Sequence, residues 1–355
     1  MAKRERKTDG KADNKSLSAQ VKENAKKEPK KQAEKEGNLT KVVSTGSTLL
    51  DLAISGGRVK GGGIPAGILV EIFGPAGCGK TVLLSEIAGG VQRQGGEVMF
   101  RDPEARLNKQ FAAMFDLDVD AMEYDTPNTV PEVFSKVREW EPKNKKMING
   151  VFADSLAALS TDWEMEGKDG YGMRRAKEFS EELRKTCRVI KENDYLMVCS
   201  NQVRVNVDAG QFGQKYISPG GESIGFYSSL RLRAGKPQKI NKPKTIKGKE
   251  VKRVIGVEVE FEVFKNSVWE PYRTAPLTIL FNYGIDDVRE NLKFVKRFTG
   301  ETVYTTGETK LDKSLDNSIY QVEEQDLVEK LREETIQLWH EIEKKFKTKR
   351  KKKKR

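Results

Sequence analysis

The sequence predicts an α/β fold: a mostly parallel central sheet that turns antiparallel toward one edge, followed by a small α+β unit. Three observations carry that prediction. Short apolar runs alternate with helical stretches through residues 69–202, and a glycine-rich segment, GPAGCGKT (74–81), sits between one such run and the next helix. Beyond residue 228 the pattern turns to strands alone. Taken in order, LVEIF (69–73) reads as a buried strand, TVLLSEIAGGVQRQ (81–94) as a helix and EVMFR (97–101) as a strand. MINGVFAD (147–154) reads as a further strand, residues 173–192 as a long amphipathic helix, and YLMVCSNQ (195–202) as a buried strand with a polar end. SSLRLR, VIGVEVEFEVF and PLTILFNYG then follow as consecutive strands, an antiparallel extension of the same sheet. Residues 285–343 read as a small C-terminal domain closing with an amphipathic helix near 325–346.

Charge divides the 355-residue chain into a near-neutral body and two basic ends. Lys and Arg number 65 against 53 Asp and Glu, a net +12. Residues 1–38 carry +5, and residues 344–355, KKFKTKRKKKKR, carry +10, leaving −3 for 39–343. The first segment has almost no large apolar side chain and is expected to be a disordered basic arm. The last is expected to be a solvated polybasic tail that can hold nucleic-acid phosphates. No apolar run approaches the ~18 residues of a membrane span, and MAKRERKTDGKADNK lacks the apolar segment of a signal peptide. Three cysteines (78, 187 and 199) show no paired spacing, and a single histidine, His340, argues against His-based metal or triad chemistry. A protein of the reducing cytoplasm, without a membrane partner, is expected.

GPAGCGKT matches the phosphate-loop pattern G-x-x-x-x-G-K-T and lies between a predicted strand and helix, the context that the chemistry needs. In Gly74-Pro75-Ala76-Gly77-Cys78-Gly79-Lys80-Thr81, the glycines let successive backbone N–H groups converge on phosphate oxygens at a helix N-terminus. Lys80 is expected at the β- and γ-phosphates and the Thr81 hydroxyl on Mg²⁺. Asp154, ending VFAD (151–154), is the candidate second holder of the metal. A further carboxylate is needed to orient the attacking water. In FRDPEARL both Glu104 and Asp102 stand just past a strand end, and spacing alone does not choose between them.

STGSTLLD (44–51), GPAGCGKT, FRDPEARLNKQFAAMFDLD (100–118), FADSLAAL (152–159), CSNQVR (199–204) and GGESIGFYSSLRL (220–232) occur in the order and spacing of the bacterial RecA recombinase core. The chain resembles that family over roughly residues 39–284. The resemblance implies an ATP- and Mg²⁺-dependent, DNA-stimulated ATPase with Glu104, rather than Asp102, as the water-activating carboxylate. It implies Phe111 stacked on adenine, Asn108 in contact with it, and Gln202 as the residue that senses the γ-phosphate. Lys265, in FKNSVW (264–269), corresponds to a lysine that acts across the subunit interface on the neighbour's ATP. Segments 161–175 and 203–221 resemble the family's two DNA-binding loops. Arg174, Arg175 and Arg204 are the candidates for phosphates, Tyr171 and Val207 for wedges between bases, and Gly220 and Gly221 for close backbone approach. Stacking and charge without base-edge readout suit sequence-tolerant single-strand binding.

The chain also departs from the family pattern. Ser267 and Gly225 stand where interface lysines are expected, the first loop is shorter, and its wedge position is Tyr171 rather than methionine. An N-terminal helix and strand are not recognisable in 1–38, and the C-terminus is basic rather than acidic. Such departures fit a divergent member of the kind a phage would encode. The resemblance implies a recombinase that forms homo-oligomeric filaments on single-stranded DNA and pairs it with homologous duplex. Two other readings are compatible with the same core: a non-catalytic accessory protein using ATP as an interface switch, and a hexameric helicase or circadian-type ATPase.

Overall fold

The computed structural model describes residues 41–165, 172–205, 216–217, 222–348 and 350. The 1–38 arm, Tyr171, Val207, Gly220, Gly221 and residues 349 and 351–355 of the tail lie outside the described residues. The first elements are β1 (Val42–Val43), α1 (Thr48–Ser55) and β2 (Ile64–Pro65), with the Ser47 hydroxyl capping α1 by accepting from the Leu50 amide. Next come β3 (Ile68–Gly74), α2 (Lys80–Arg93), β4 (Val98–Arg101), α3 (Lys109–Ala113), β5 (Glu123–Asp125) and α4 (Val130–Glu139). β6 (Gly150–Ala153), α5 (Asp162–Met165), α6 (Gly172–Glu192) and β7 (Leu196–Gln202) complete the alternating part.

The chain continues through a short antiparallel pair, β8 (Arg204–Val205) with β9 (Tyr216–Ile217), to α7 (Glu222–Tyr227) and β10 (Leu230–Ala234). After β10 come β11 (Gln238–Ile246), β12 (Lys249–Asn266), β13 (Thr274–Leu280) and β14 (Gly284–Ile285). The central sheet has the order β14-β13-β12-β10-β3-β7-β6-β4-β5, with β11 paired to β12. From β10 to β5 every pairing is parallel; β12, β13 and β14 add on antiparallel. This is the predicted α/β architecture with one correction: SSLRLR, expected in the antiparallel extension, forms β10 and pairs parallel with β3, so the extension begins at β12.

Alternate residues of the parallel strands feed two cores, because successive side chains point to opposite faces. Val70, Ile72, Phe100, Phe152 and Val198 meet Leu84 and Ile87 of α2 on one face. Leu69, Met99, Val151 and Met197 meet Phe134 of α4 and Phe179 and Leu183 of α6 on the other. A strand covered on both faces must be apolar nearly throughout, which is why β3 and β7 read as apolar runs.

The β11–β12 ribbon differs from the sequence reading, which began its strand at Val254. β12 starts at Lys249, and β11 pairs with it through a tight turn with Lys247 at φ 50° and Gly248 at φ 76°. Lys239, Lys242, Lys244, Lys247, Lys249, Lys252 and Arg253 are all exposed along it. With both faces in water and Pro243 in the middle, the ribbon has no apolar alternation to reveal it.

The C-terminal elements are α8 (Asp287–Thr299), the small hairpin β15 (Thr305–Thr306) with β16 (Thr309–Lys310), α9 (Leu315–Glu324) and α10 (Val328–Phe346). They enclose a core of Val288, Leu292, Val295, Leu311, Val322 and Leu331. Asp287 accepts from the Thr48 amide and hydroxyl, both at 2.7 Å, so α8 caps the start of α1. Farther along, Trp339 of α10 packs on Trp269, whose other neighbour is the Arg273 guanidinium 3.7 Å from the ring centre. Among the described residues, no helix is long and apolar enough to cross a membrane.

Asp51 on α1 is buried and accepts from Ser44, the Thr45 amide and the Thr45 hydroxyl. Burial raises its carboxyl from 3.8 to about 7, against the lowering effect of those hydrogen bonds. A raised acid means the folded state binds the extra proton between these two values, so this group's contribution to stability falls as pH climbs from about 4 to 7. Asp51→Asn imitates the protonated form. Its melting temperature relative to the parent is expected to rise with pH across that window, and a pH-independent difference in thermal melts would refute the assignment.

Candidate nucleotide site

β3 neighbours β7 and β10 in the sheet, while the chain leaves it over α2 to reach β4, two strands beyond β7. Such a reversal of strand order opens a crevice at the carboxyl ends of the strands. A cleft of about 590 Å³ lies there, within the usual range for small-molecule sites. Ala76 through Val82, Glu104, Asp154, Ser200 and Gln202 all line it, gathered from the ends of β3, β4, β6 and β7.

The turn from β3 into α2 requires glycine at particular points. Gly77 and Gly79 sit at φ 71° and 82°, a region that side chains with a Cβ rarely adopt. A Cβ on Gly79 would also lie 2.1 Å from Ile279 of β13, and one on Gly74 would lie 2.8 Å from Ala234 of β10. Lys80 folds back across the loop, its ammonium donating to the carbonyls of Gly74 (3.1 Å) and Pro75 (2.8 Å). Cys78 is buried beneath the loop. Its burial pushes the thiol above its ordinary range, against the pull of Lys80, which leaves it a packing group rather than a nucleophile.

The two rival carboxylates have different surroundings. Asp102 is buried outside the cleft lining, where it accepts from the Leu107 amide (2.8 Å) and the Tyr124 hydroxyl (3.0 Å). Burial, and then the Asp102 charge, raise Tyr124 to about 12, so it remains a donor. Asp102 thus braces the 102–107 turn. Glu104, carried by that turn, lines the cleft and pairs with Arg106 at 2.9 Å. Asp154 is buried just past the end of β6 and accepts from the Ser200 hydroxyl of β7, so the two cleft-lining side chains hold each other. Gln202 ends β7, with its amide donating to the Asn201 side chain at 3.0 Å.

The other candidate residues divide between the cleft and its surroundings. Phe111 lines the cleft, edge-on to Phe115 with ring centres 5.0 Å apart. Asn108 is not in the lining: its side chain caps α3 by accepting from the Phe111 amide at 2.9 Å. Lys265 is also outside this cleft, and its ammonium donates to the Gly225 and Phe226 carbonyls, both at 2.9 Å. Arg175 donates to the carbonyls of Leu156 and Ala157, Arg174 is exposed, and Arg204 opens β8.

Sequence reasoning missed one wall. Val257, Ile279, Leu280, Phe281, Asn282 and Gly284, from β12 to β14, complete the cleft opposite the parallel strands in the sheet order. Phe281 is 55% exposed at the rim. The readable signal was FNY (281–283), two aromatic residues just past a strand end with no core position left to fill.

The donor set suits a magnesium–nucleoside triphosphate: a positive-φ amide loop and Lys80 for phosphates, with Thr81 and Asp154 as oxygen ligands for a hard cation that arrives with its nucleotide. An α/β sheet with this loop at its strand-order reversal defines a P-loop nucleotide-binding protein. The family model described as the RecA N-terminal domain matches residues 12–286. Protein RecA of Thermus thermophilus is 34% identical over 254 residues, covering 70% of this chain and 69% of that protein. Protein RecA of Delftia acidovorans is 32% identical over 247 residues, covering 69% and 63%. A crystal structure of the RadB recombinase aligns at 19% identity with a TM-score of 0.48, covering 68% of this chain and 98% of that one. The chain belongs to the RecA family. Membership gives it a place among ATP-binding and DNA-binding proteins of DNA recombination and repair.

The carboxylates make separable predictions. If Glu104 activates the attacking water, Glu104→Gln is expected to keep nucleotide affinity and lose about 10²-fold or more in ATP turnover, because only that charge is removed. Asp102→Asn should instead lower the melting temperature, and Lys80→Ala should abolish binding of a fluorescent ATP analogue. Wild-type turnover by Glu104→Gln would return the role to Asp102.

Proposed function

We propose that this protein is an ATP-dependent recombinase that assembles as a homo-oligomeric filament on single-stranded DNA and promotes pairing and strand exchange with homologous duplex. One observation carries the reading. Gln202 lines the nucleotide cleft and is followed directly by 203–221, the segment that resembles a DNA-binding loop. A side chain in contact with the γ-phosphate therefore has the DNA segment as its immediate continuation.

In this reading Lys80 and the loop amides hold the ATP phosphates, and Thr81 and Asp154 hold Mg²⁺, which when bound neutralises charge developing on the β- and γ-oxygens. Glu104 takes the proton of the attacking water. Phe111 and Phe281 flank the base, with Asn108 near it. Lys265 serves the ATP of the adjoining protomer, so hydrolysis belongs to the interface. Arg174, Arg175 and Arg204 meet DNA phosphates, Tyr171 and Val207 enter between bases, and Gly220 and Gly221 let the backbone approach the strand. Residues 39–284 form the ATPase core and 285–343 a small C-terminal domain. The 1–38 arm and the 344–355 tail add basic charge, the tail as a tether without base preference. The site of action is the cytoplasm, at a nucleoid or a phage replication site.

A second reading, an accessory protein that uses ATP to switch an interface without efficient turnover, draws on Ser267 and Gly225 at the expected lysine positions. Electron microscopy with single-stranded DNA, Mg²⁺ and a non-hydrolysable ATP analogue separates them. Continuous helical filaments on the DNA are expected. Closed rings, or isolated particles at saturating protein, would overturn the recombinase reading.

A further inference from the structure

A row of charged and polar side chains crosses four strands on one face of the sheet. Cys199 of β7 is in register with Glu71 of β3, Glu71 with Arg231 of β10, and Arg231 with Lys265 of β12. Asn201, two residues beyond Cys199 and so on the same face, donates to Glu71 Oε1 at 3.0 Å. Arg231 Nε donates to Glu71 Oε2 at 2.6 Å. Glu71 is fully buried, and the Arg231 guanidinium lies against the edge-on pair of Phe73 and Phe264, 4.5 and 5.3 Å from their ring centres. Lys265 ends the row, its ammonium on the Gly225 and Phe226 carbonyls of α7.

The strands are already joined by backbone hydrogen bonds, and a buried ion pair stabilises a fold no better than apolar residues of the same volume. The row's placement gives it another role. Its first member adjoins Gln202, where 203–221 begins; its last holds α7, where that segment ends. Gly225 fits the same arrangement, because a Cβ there would lie 2.8 Å from Arg231 Nη1. The glycine that stands at an expected lysine position makes room for the guanidinium.

We propose that the row Asn201–Glu71–Arg231–Lys265 ties both ends of 203–221 to the core, making Glu71 and Arg231 positioning residues for that segment's response to nucleotide. The response part rests on the DNA-binding role proposed above; the tethering does not.

The test uses the full chain with Glu71→Gln and Arg231→Gln combined, which strands no lone buried charge. Hydrogen–deuterium exchange should increase on both sides of the segment, at 200–205 and in α7, with a fluorescent ATP analogue still bound as in the parent. The ratio of single-strand affinities with ATP analogue and with ADP, read by anisotropy of a labelled oligonucleotide, should fall by roughly fivefold or more. Gly225→Ala, which presses on Arg231 while leaving every charge in place, should move both readouts in the same direction and serves if the double variant does not fold. A purely structural glycine would instead gain helix stability on becoming alanine. Exchange that rises on one side only, or an unchanged affinity ratio where the parent shows one, overturns the proposal. Loosening of both ends in a protein whose parent shows no nucleotide-dependent affinity leaves the tether standing and removes the DNA-binding reading.

Discussion

The close approach of β3 to β10 and of the phosphate loop to β13 constrains much of the rest of the molecule. Gly74 has no room for a Cβ beside Ala234, and Gly79 has none beside Ile279. Between them the chain must turn from a strand into α2 with two residues at positive φ, which glycine tolerates at little cost. This tight packing directs the amides of the loop into the crevice left where the strand order reverses. It also brings the antiparallel extension within reach, so that β13 supplies a wall of the nucleotide cleft. Neither half of the sheet makes the site alone.

Around that crevice, polar groups are divided between those that face the cleft and those that hold others in place. Asp102 and Glu104 are two residues apart in sequence, yet one is buried under Leu107 and Tyr124 while the other lines the cleft. Asn201 and Gln202 are adjacent, but strand alternation sends one to Glu71 across the sheet and leaves the other at the cleft. In each pair an offset of one or two residues separates support from function. The proposed link between nucleotide and DNA depends on the second pair, because Gln202 stands at the junction of β7 and the segment that follows.

Local chemistry was legible in the sequence, and long-range pairing was not. LVEIF and YLMVCSNQ revealed buried parallel strands because both faces of each are covered. GPAGCGKT was readable because its glycines answer a backbone demand that leaves few alternatives. The helix Val130–Glu139 was overlooked although Thr129 and Glu132 carry its start signal, with Glu132 accepting from the Thr129 amide at 3.1 Å. The β11–β12 ribbon left no apolar signature, since water surrounds it. Glu71 is a lone charge in an apolar run, and its partner Arg231 lies 160 positions away. The wall built by Ile279 and Phe281 follows from sheet order, which no short window contains.

In the proposed mechanism nucleotide state reaches residues 203–221 through Gln202. Its most direct test is the single-strand affinity of Gln202→Ala, measured once with ADP and once with a non-hydrolysable ATP analogue. The variant is expected to bind both nucleotides as the parent does, yet to hold single-stranded DNA with the same affinity in either state. A parent-like rise in DNA affinity with the ATP analogue in Gln202→Ala would contradict it.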